Sequence, residues 1–199
     1  ALAIENARLV TNAGVVREMH HGIKNNLQTV AMLMQLQLAD SGPLNARKLL
    51  QASVHRINSI ATVHEVLSEQ GFRLVDVRNV LEKVSRMTVE TLLAPGQNVS
   101  ISVTGEALLL PARPATALTL VVNELVQNAL EHGLSGRLDG QIQVSLGHAP
   151  DEIVILVRDD GVGLPMDQTQ GLGLEIVETL VRDDLRGQLR FAPAPSGTE

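Results

Sequence analysis

The stretch that decides the fold runs from 123 to 132 and reads Asn-Glu-Leu-Val-Gln-Asn-Ala-Leu-Glu-His. It belongs to a predicted amphipathic helix over 111–132. Glu124, Asn128 and His132 are four residues apart and share one face of that helix. The opposite face carries the packing residues Leu118, Val122, Leu125 and Ala129. A carboxylate and a carboxamide on one rigid helix suit Mg²⁺, which takes the rest of its shell from water and phosphate oxygens. The alternative is an ordinary solvated helix face.

A second polar group follows the aliphatic run 153–157, which predicts a buried strand. The chain then reads Arg158-Asp159-Asp160-Gly161-Val162-Gly163-Leu164-Pro165. Asp160 is predicted at the end of the strand, where an ionised carboxylate accepts the exocyclic amino hydrogens of adenine. Gly161 and Gly163 would let the backbone approach the base closely. The alternative is a glycine-rich turn in which Asp160 is a turn or cap residue.

A third signal is Gly171-Leu172-Gly173-Leu174, at the start of a predicted helix over 172–181. A glycine-rich entry into a helix presents free N–H groups to phosphate oxygens. No Lys-Ser or Lys-Thr pair follows these glycines, so the segment is not a P-loop. A flexible loop before a helix would have the same composition.

The elements around these signals predict an α/β layer over 72–199, with helices packed on one face of a mixed sheet. The patterns indicate a helix over 75–93 and strands over 98–103, 141–146, 153–157 and 187–191.

The N-terminal part predicts a helical hairpin over 14–70. Its first helix carries an apolar stripe, Val16, Met19, Ile23, Leu27, Val30 and Met34. Asp40-Ser41-Gly42-Pro43 interrupts the pattern, and a second helix continues towards Gly71. Such a hairpin has no core of its own, so we expect two copies to form a four-helix bundle. The fold class predicted for the whole chain is α+β, with a helical hairpin followed by an α/β sandwich domain. We expect the chain to form a homodimer through the hairpin.

The first helix also carries an exposed polar strip, made of Glu18, His21, Asn25 and Gln28. At about 100° per residue, His20 lies about 60° from the centre of the apolar stripe and His21 about 160° from it. His21 is thus predicted to face water, where a neutral imidazole is a competent nucleophile. The alternative is that both histidines merely fill the surface and the seam.

Composition excludes several classes of protein. The chain has 199 residues, a net charge of −6, two phenylalanines as its only aromatics, and no cysteine. It lacks the basic surface and stacking aromatics of nucleic-acid binders, so no direct nucleic-acid partner is expected. No uninterrupted apolar segment of membrane-spanning length occurs, which predicts a cytoplasmic chain with no membrane contact in this segment.

The order and spacing of the four motifs resemble the sensor histidine kinases. The match covers the H-box over 21–28, the N-box over 123–132, the G1 box over 160–163 and the G2 box over 171–174. The ATP domain of that family belongs to the superfamily shared with DNA gyrase, Hsp90 and MutL. The wording is similar to the subfamily whose H-box reads H-R-V-K-N-N-L-Q. Residues 1–13 resemble the end of an upstream signalling helix of a GAF-type sensor domain.

The resemblance implies a two-component kinase that uses ATP and Mg²⁺, autophosphorylates on His21 and passes the phosphoryl group to the aspartate of a response regulator receiver domain. Its implied domains are a dimerisation and phosphotransfer domain over 14–70 and a catalytic ATP-binding domain over 72–199. The implied site consists of His21 as phosphoacceptor, Glu124 as catalytic carboxylate, Asn25 as a water-positioning residue, Asn128 with Glu124 as metal ligands, His132 as phosphate neighbour, Asp160 as adenine contact, and Gly161, Gly163, Gly171 and Gly173 as pocket and lid glycines.

Three departures from the family pattern bear on activity. Many larger histidine kinases have an acidic residue that serves as base after the acceptor; Gly22 cannot serve, which leaves Glu18 as a stand-in. Gly22 replaces the usual arginine after the acceptor, which lowers helix propensity there and removes a cation. The predicted lid over 166–170 has no lysine or arginine. Two rival functions follow, a dimeric scaffold that binds nucleotide without kinase activity, and a serine kinase or plain ATPase of the same superfamily.

Overall fold

A computed structural model describes residues 74–150, 152–163, 172–192 and 197–198, together with Val54, Ile57, Asn58 and Ala61. Those four isolated residues are helical and exposed, within the second helix of the predicted hairpin. The rest of the hairpin, its dimer and the domain boundaries lie outside the described residues and stay predictions.

The described part begins with a short strand, β1 (Val75–Asp76), that leads directly into helix α1 (Val77–Leu92). Asp76 caps this helix, because its carboxylate accepts hydrogen bonds from the backbone N–H of Arg78 at 3.2 Å and from Asn79 Nδ2 at 2.8 Å. Valine and leucine recur at three- and four-residue spacing along the helix, and that face is fully buried. α1 is therefore fixed by its cap at one end and by its apolar stripe along its length.

The central sheet has the order β2-β4-β5, formed by Asn98–Gly105, Asp139–Ala149 and Glu152–Asp159. β2 runs parallel to β4 and β4 antiparallel to β5, so the sheet is mixed, as predicted. Side chains on β4 alternate between the core and the open face, with Ile142, Val144 and Leu146 buried. A separate two-stranded sheet pairs β1 with β3 (Leu109–Leu110).

Helix α2 (Ala112–Asn128) lies between two groups of apolar side chains. On one side it packs with α1 and the sheet, through Leu118, Val122 and Val126. On another side its apolar residues meet helix α3 (Leu172–Thr179) and the turn after it; this second cluster consists of Ala117, Leu120, Val121, Ile176, Val177, Leu180 and Val181. Burial on both sides also covers polar residues of α2, since Asn123, Glu124 and Gln127 are buried.

α2 and α3 both end in a π-helical turn, Ala129–Gly133 and Leu180–Asp184 respectively. The predicted helix over 111–132 is thus present, with its last turn widened. Such turns are rare and occur mostly at functional positions. Here the first one directs the carbonyl of Gly133 towards the segment after β5, since that oxygen accepts the backbone N–H of Val162 at 3.0 Å.

Two sequence-based expectations are wrong. Residues 187–191 form no strand: Gly187 N–H closes the preceding turn on the carbonyl of Val181 at 2.8 Å, and the segment has no ladder partner among the described residues. The strand over 153–157 is not buried: Ile153 and Val154 are 44% and 43% exposed, because β5 lies at the edge of the sheet order β2-β4-β5. The alternative of a solvated face does not hold at Glu124, which is 3% exposed. No helix in the described ranges is long and apolar enough to cross a bilayer.

Candidate functional site

The first part of the site is the meeting of α2 with the start of α3. Glu124 is buried and Asn128 half-buried, one turn apart on α2. A Cβ atom built on Gly173 would lie 3.3 Å from Glu124 Oε2 and 3.6 Å from Asn128 Oδ1. Only a glycine lets α3 approach these side chains without pushing them aside. The structure thus brings together three of the predicted site residues, from two separate motifs.

These residues fit a magnesium site of the kind that relies on a nucleotide. Glu124 and Asn128 supply hard oxygen donors, which Mg²⁺ prefers, and the cradle opposite them has no side chain. The described residues contain no cluster of three or more histidine, aspartate and glutamate side chains that could hold a metal ion. Most of the coordination shell would therefore come from water and phosphate oxygens.

The second part of the site is the end of β5. Asp159 is 7% exposed, and its Oδ1 accepts the backbone N–H of Gly161 at 2.8 Å. A Cβ on Gly133 would lie 2.8 Å from that Oδ1, and a Cβ on Gly161 would lie 2.2 Å from the carbonyl oxygen of Gly133. The two glycines therefore form a close slot around one carboxylate, and neither tolerates a side chain without rearrangement.

The electrostatics of this slot are set by burial. Burial raises the pKa of Asp159, the backbone amides of Gly161 and Thr198 oppose that rise, and the neighbouring charge of Asp160 adds to it. A buried carboxylate of this kind is stabilised by hydrogen-bond donors, because burial has removed part of its hydration.

Asp160, the predicted adenine contact, has different surroundings. Its Oδ1 accepts the N–H of Gln141 at 2.8 Å, and its own N–H donates to the carbonyl of Gln141 at 3.2 Å. Arg137 lies beside it, with Nη2 3.6 Å from Asp160 Oδ2. Asp160 thus continues the pairing of β5 with β4. Its assignment as the adenine contact stays a prediction.

Comparisons with known proteins identify the family of the chain. A family model described as "Histidine kinase" matches residues 18–92. A second, described as "Histidine kinase-, DNA gyrase B-, and HSP90-like ATPase", matches residues 114–199, which include both parts of the site. This chain carries the transmitter region of a histidine kinase.

Relatives of the transmitter are named as kinases. It is 36% identical over 194 residues to "Sensor histidine kinase PdtaS" of Mycolicibacterium smegmatis, covering 95% of this chain and 39% of that protein. It is 28% identical over 180 residues to a "Blue-light-activated histidine kinase" of Rhizobium johnstonii, covering 88% of this chain and 48% of that one. The transmitter therefore spans less than half the length of these relatives.

Solved structures share its fold. The blue-light activated histidine kinase EL346 of Erythrobacter litoralis superposes with a TM-score of 0.76 at 20% identity, over 92% of this chain and 57% of that one. The histidine kinase domain of that protein gives a TM-score of 0.65 at 20% identity, over 88% and 91% of the two chains. At this identity the likeness establishes the α+β fold.

The structure describes most of the predicted site residues of the transmitter. Glu124, Asn128 and Gly173 meet at one place, and Gly161 lines the slot at the other. Gly163 follows that slot with φ +82°, and His132 is exposed in the first π-helical turn. The residues outside the described ranges are His21, Asn25 and Gly171.

Two residues of the slot were missed by the sequence analysis. Asp159 was passed over for Asp160, although the spacing D-x-G-x-G counted strictly begins at Asp159. Gly133, directly after the N-box, carried no signal, since its role depends on the π-helical turn that directs its carbonyl.

Proposed function

We propose that this transmitter binds ATP with Mg²⁺ and transfers the γ-phosphoryl group to His21. The observation that carries the proposal is the close approach of Gly173 to Glu124 and Asn128, at the N-terminus of α3, where a helix can bind phosphate through its N–H groups. The names of the two relatives reported above, a sensor histidine kinase and a blue-light-activated histidine kinase, support the same activity.

For the adenine end we propose Asp159 as the base contact. Its carboxylate is buried at a strand end between two glycines, where an exocyclic amino group can donate to it and guanine, with a carbonyl oxygen at that position, cannot. Asp160 remains the second candidate from the sequence, although its carboxylate already accepts from Gln141 and faces Arg137.

For the phosphate end we propose Asn128 and Glu124 as Mg²⁺ ligands, with Gly171 and Gly173 at the start of α3 and His132 near the phosphates. Bound Mg²⁺ would neutralise charge on the transferred group. In the transfer, a ring nitrogen of His21 bonds to the γ-phosphorus as the bond to the bridging oxygen breaks, and ADP leaves with that electron pair. The proton on the other ring nitrogen passes to a carboxylate, for which Glu124 is the first candidate and Glu18 the second.

The wider setting belongs to the same proposal. A phosphohistidine is reactive, so we propose that the phosphoryl group passes to the receiver aspartate of a response regulator docked on the helical hairpin of a homodimer. Asn25, one turn after His21, is proposed to position water for dephosphorylation of that regulator. An upstream GAF-type sensor domain and a cytoplasmic location complete the arrangement.

The test is incubation of the purified chain with γ-labelled ATP and Mg²⁺, beside His21→Gln and the matched His20→Gln variant. Acid-labile, alkali-stable label that disappears only in His21→Gln is the expected result. ATP binding without label in the wild type would instead favour a nucleotide-binding scaffold, for which Gly22 and the uncharged lid sequence are the motivating features. Acid-stable label would favour a serine kinase.

A further inference from the structure

The turn after β5 is held from outside by one arginine. Arg137 lies between the first π-helical turn and β4, and its Nη1 donates to the backbone carbonyl of Asp160. Its Nη2 lies 3.6 Å from the carboxylate of the same residue. One guanidinium thus contacts both the main chain and the side chain of the residue that follows Asp159.

Arg137 is itself fixed by the segments on either side of it. Its carbonyl accepts Gln97 Nε2 at 2.9 Å, and its N–H donates to the carbonyl of Leu134 at 3.1 Å. The next residue, Leu138, accepts the N–H of Asn98 at 2.6 Å through its carbonyl. The arginine therefore extends from a backbone that the start of β2 and the end of the π-helical turn both hold in place.

The turn that it contacts is held by hydrogen bonds of its backbone, among them Val162 N–H to the carbonyl of Gly133 at 3.0 Å, and has little side-chain packing of its own. Gly161 and Gly163 both lack a side chain, and Gly163 adopts φ +82°, so the backbone here has little intrinsic stiffness. Val162 between them is 76% exposed and contributes almost no packing. Asp159 and Asp160 are adjacent carboxylates that repel each other, and the charge of Arg137 offsets that repulsion.

We propose that Arg137 is a positioning residue for adenine selection, acting through Asp160 to hold the backbone at which Asp159 reads the base. The inference rests on the proposed nucleotide site. It also gives Asp160 a role other than the predicted adenine contact, because Asp160 is the residue through which Arg137 positions the turn. An arginine suits the task because its planar fork donates to two acceptors at once, which a lysine ammonium on a flexible stem does less well.

The experiment measures the Kd of ATP and of GTP for the full chain and for Arg137→Gln. We expect the affinity for ATP to fall about tenfold and that for GTP to change by less than about twofold, which is the scale of one lost charge-assisted hydrogen bond. The preference for ATP over GTP therefore falls. A loss of general stability would weaken both nucleotides alike.

Arg113→Gln is the matched control. Arg113 donates two N–H groups to Asp184 at 2.9 and 2.6 Å, joining the start of α2 to the end of the second π-helical turn. The substitution removes the same kind of contact from a different place. We expect both Kd values to stay within about twofold of the wild type, as for an exposed ion pair.

Two further variants test whether Arg137 acts through Asp160. Arg137→Lys keeps the charge and should restore part of the preference for ATP. In an Asp160→Asn background the added effect of Arg137→Gln should shrink to about threefold or less, because residues in contact are not additive. Additive losses would overturn the inference, and so would an unchanged nucleotide preference in Arg137→Gln.

The outcomes separate this inference from the proposed function. A wild-type chain that binds neither nucleotide overturns the proposed function and the inference with it. A wild-type chain that prefers ATP, with Arg137→Gln showing the same preference, overturns the inference alone. If Arg137→Gln loses its cooperative thermal transition, the comparison of Arg137→Lys with wild type decides the question in the same way.

Discussion

The two ends of the site are built by different means. At the proposed phosphate end, Glu124 and Asn128 come from one helix, and Gly173 of another helix lies opposite them. At the proposed adenine end, Asp159, Gly133 and Gly161 come from a strand end, a π-helical turn and a loop, and backbone atoms of Gly133 and Gly161 take part in the contacts. The first end depends on side-chain spacing along one helix and the second on how three segments approach one another.

The largest effect on ATP affinity is expected from Asp159→Asn, which changes a residue of the proposed adenine end alone. The amide oxygen can still accept from Gly161, but the charge is lost, and the amide nitrogen offers a donor where adenine needs an acceptor. ATP affinity should fall about 100-fold or more, the scale of a mispaired buried polar group. Isothermal titration calorimetry checks the affinity, and unchanged ATP binding would contradict the assignment of the adenine end.

The same variant should unfold at a higher temperature than wild type at pH 7. Because the folded-state pKa of Asp159 is raised, the folded state binds more protons than the unfolded state, and this carboxyl group destabilises the fold increasingly as pH rises from 3.8 upwards. The advantage of Asp159→Asn should therefore shrink as pH is lowered towards 3.8. Thermal melts across that pH range test the sign.

Gly173→Ala tests the phosphate end and should have the next largest effect. The new methyl group would lie 3.3 Å from Glu124 Oε2 and displace that side chain, while alanine favours the helix by about 1 kcal/mol. We expect ATP affinity to fall about tenfold with no loss of thermal stability. Gly147→Ala is the control, because its Cβ would meet nothing closer than 3.8 Å. Equal affinities of the two variants would show that Gly173 does not border the site.

Thr88→Val tests the helix that both ends share. Thr88 Oγ1 donates a hydrogen bond to Asn123 Oδ1 at 2.5 Å. Asn123 is buried and directly precedes Glu124 in the sequence. Valine keeps the shape but leaves that amide oxygen without its hydroxyl partner, which should cost about 1–3 kcal/mol in the free energy of unfolding. Urea denaturation measures the cost. A change below about 0.5 kcal/mol would mean that this contact does not fix α2.

The smallest effect is expected from a substitution that lies outside both ends of the site. Arg186 is exposed and has φ 52°, a left-handed conformation that glycine adopts more readily. Arg186→Gly should stabilise the fold by up to about 1 kcal/mol and leave ATP affinity unchanged. Thermal melts and titrations on the same sample check both statements, and a loss of stability would show that the arginine side chain makes a contribution of its own.

The comparison of the two ends also shows which parts of the site could be predicted from the sequence. Helical spacing identified Glu124 and Asn128, because residues four apart on a helix share a face whatever the tertiary fold is. Asp160 was chosen over Asp159 as the residue expected at the end of the strand, although the D-x-G-x-G spacing begins at Asp159. The sequence pattern does not predict the position of Gly133, because that position depends on the π-helical turn after α2. The absent strand at 187–191 shows the same limit: its pattern is compatible with a strand, but pairing needs a neighbour.

The parallel pairing of β2 with β4 has a consequence for how the chain folds. Asn98 pairs with Asp139, 41 residues away, whereas the antiparallel pairing of β4 and β5 begins at Ala149 and Glu152. Closing the longer loop costs more chain entropy before any contact repays it. We expect the β4–β5 hairpin to form first and β2 to join after α2 has packed against it. Substitutions in the hairpin should then slow refolding, while truncations of β2 such as Val99→Ala should mainly speed unfolding.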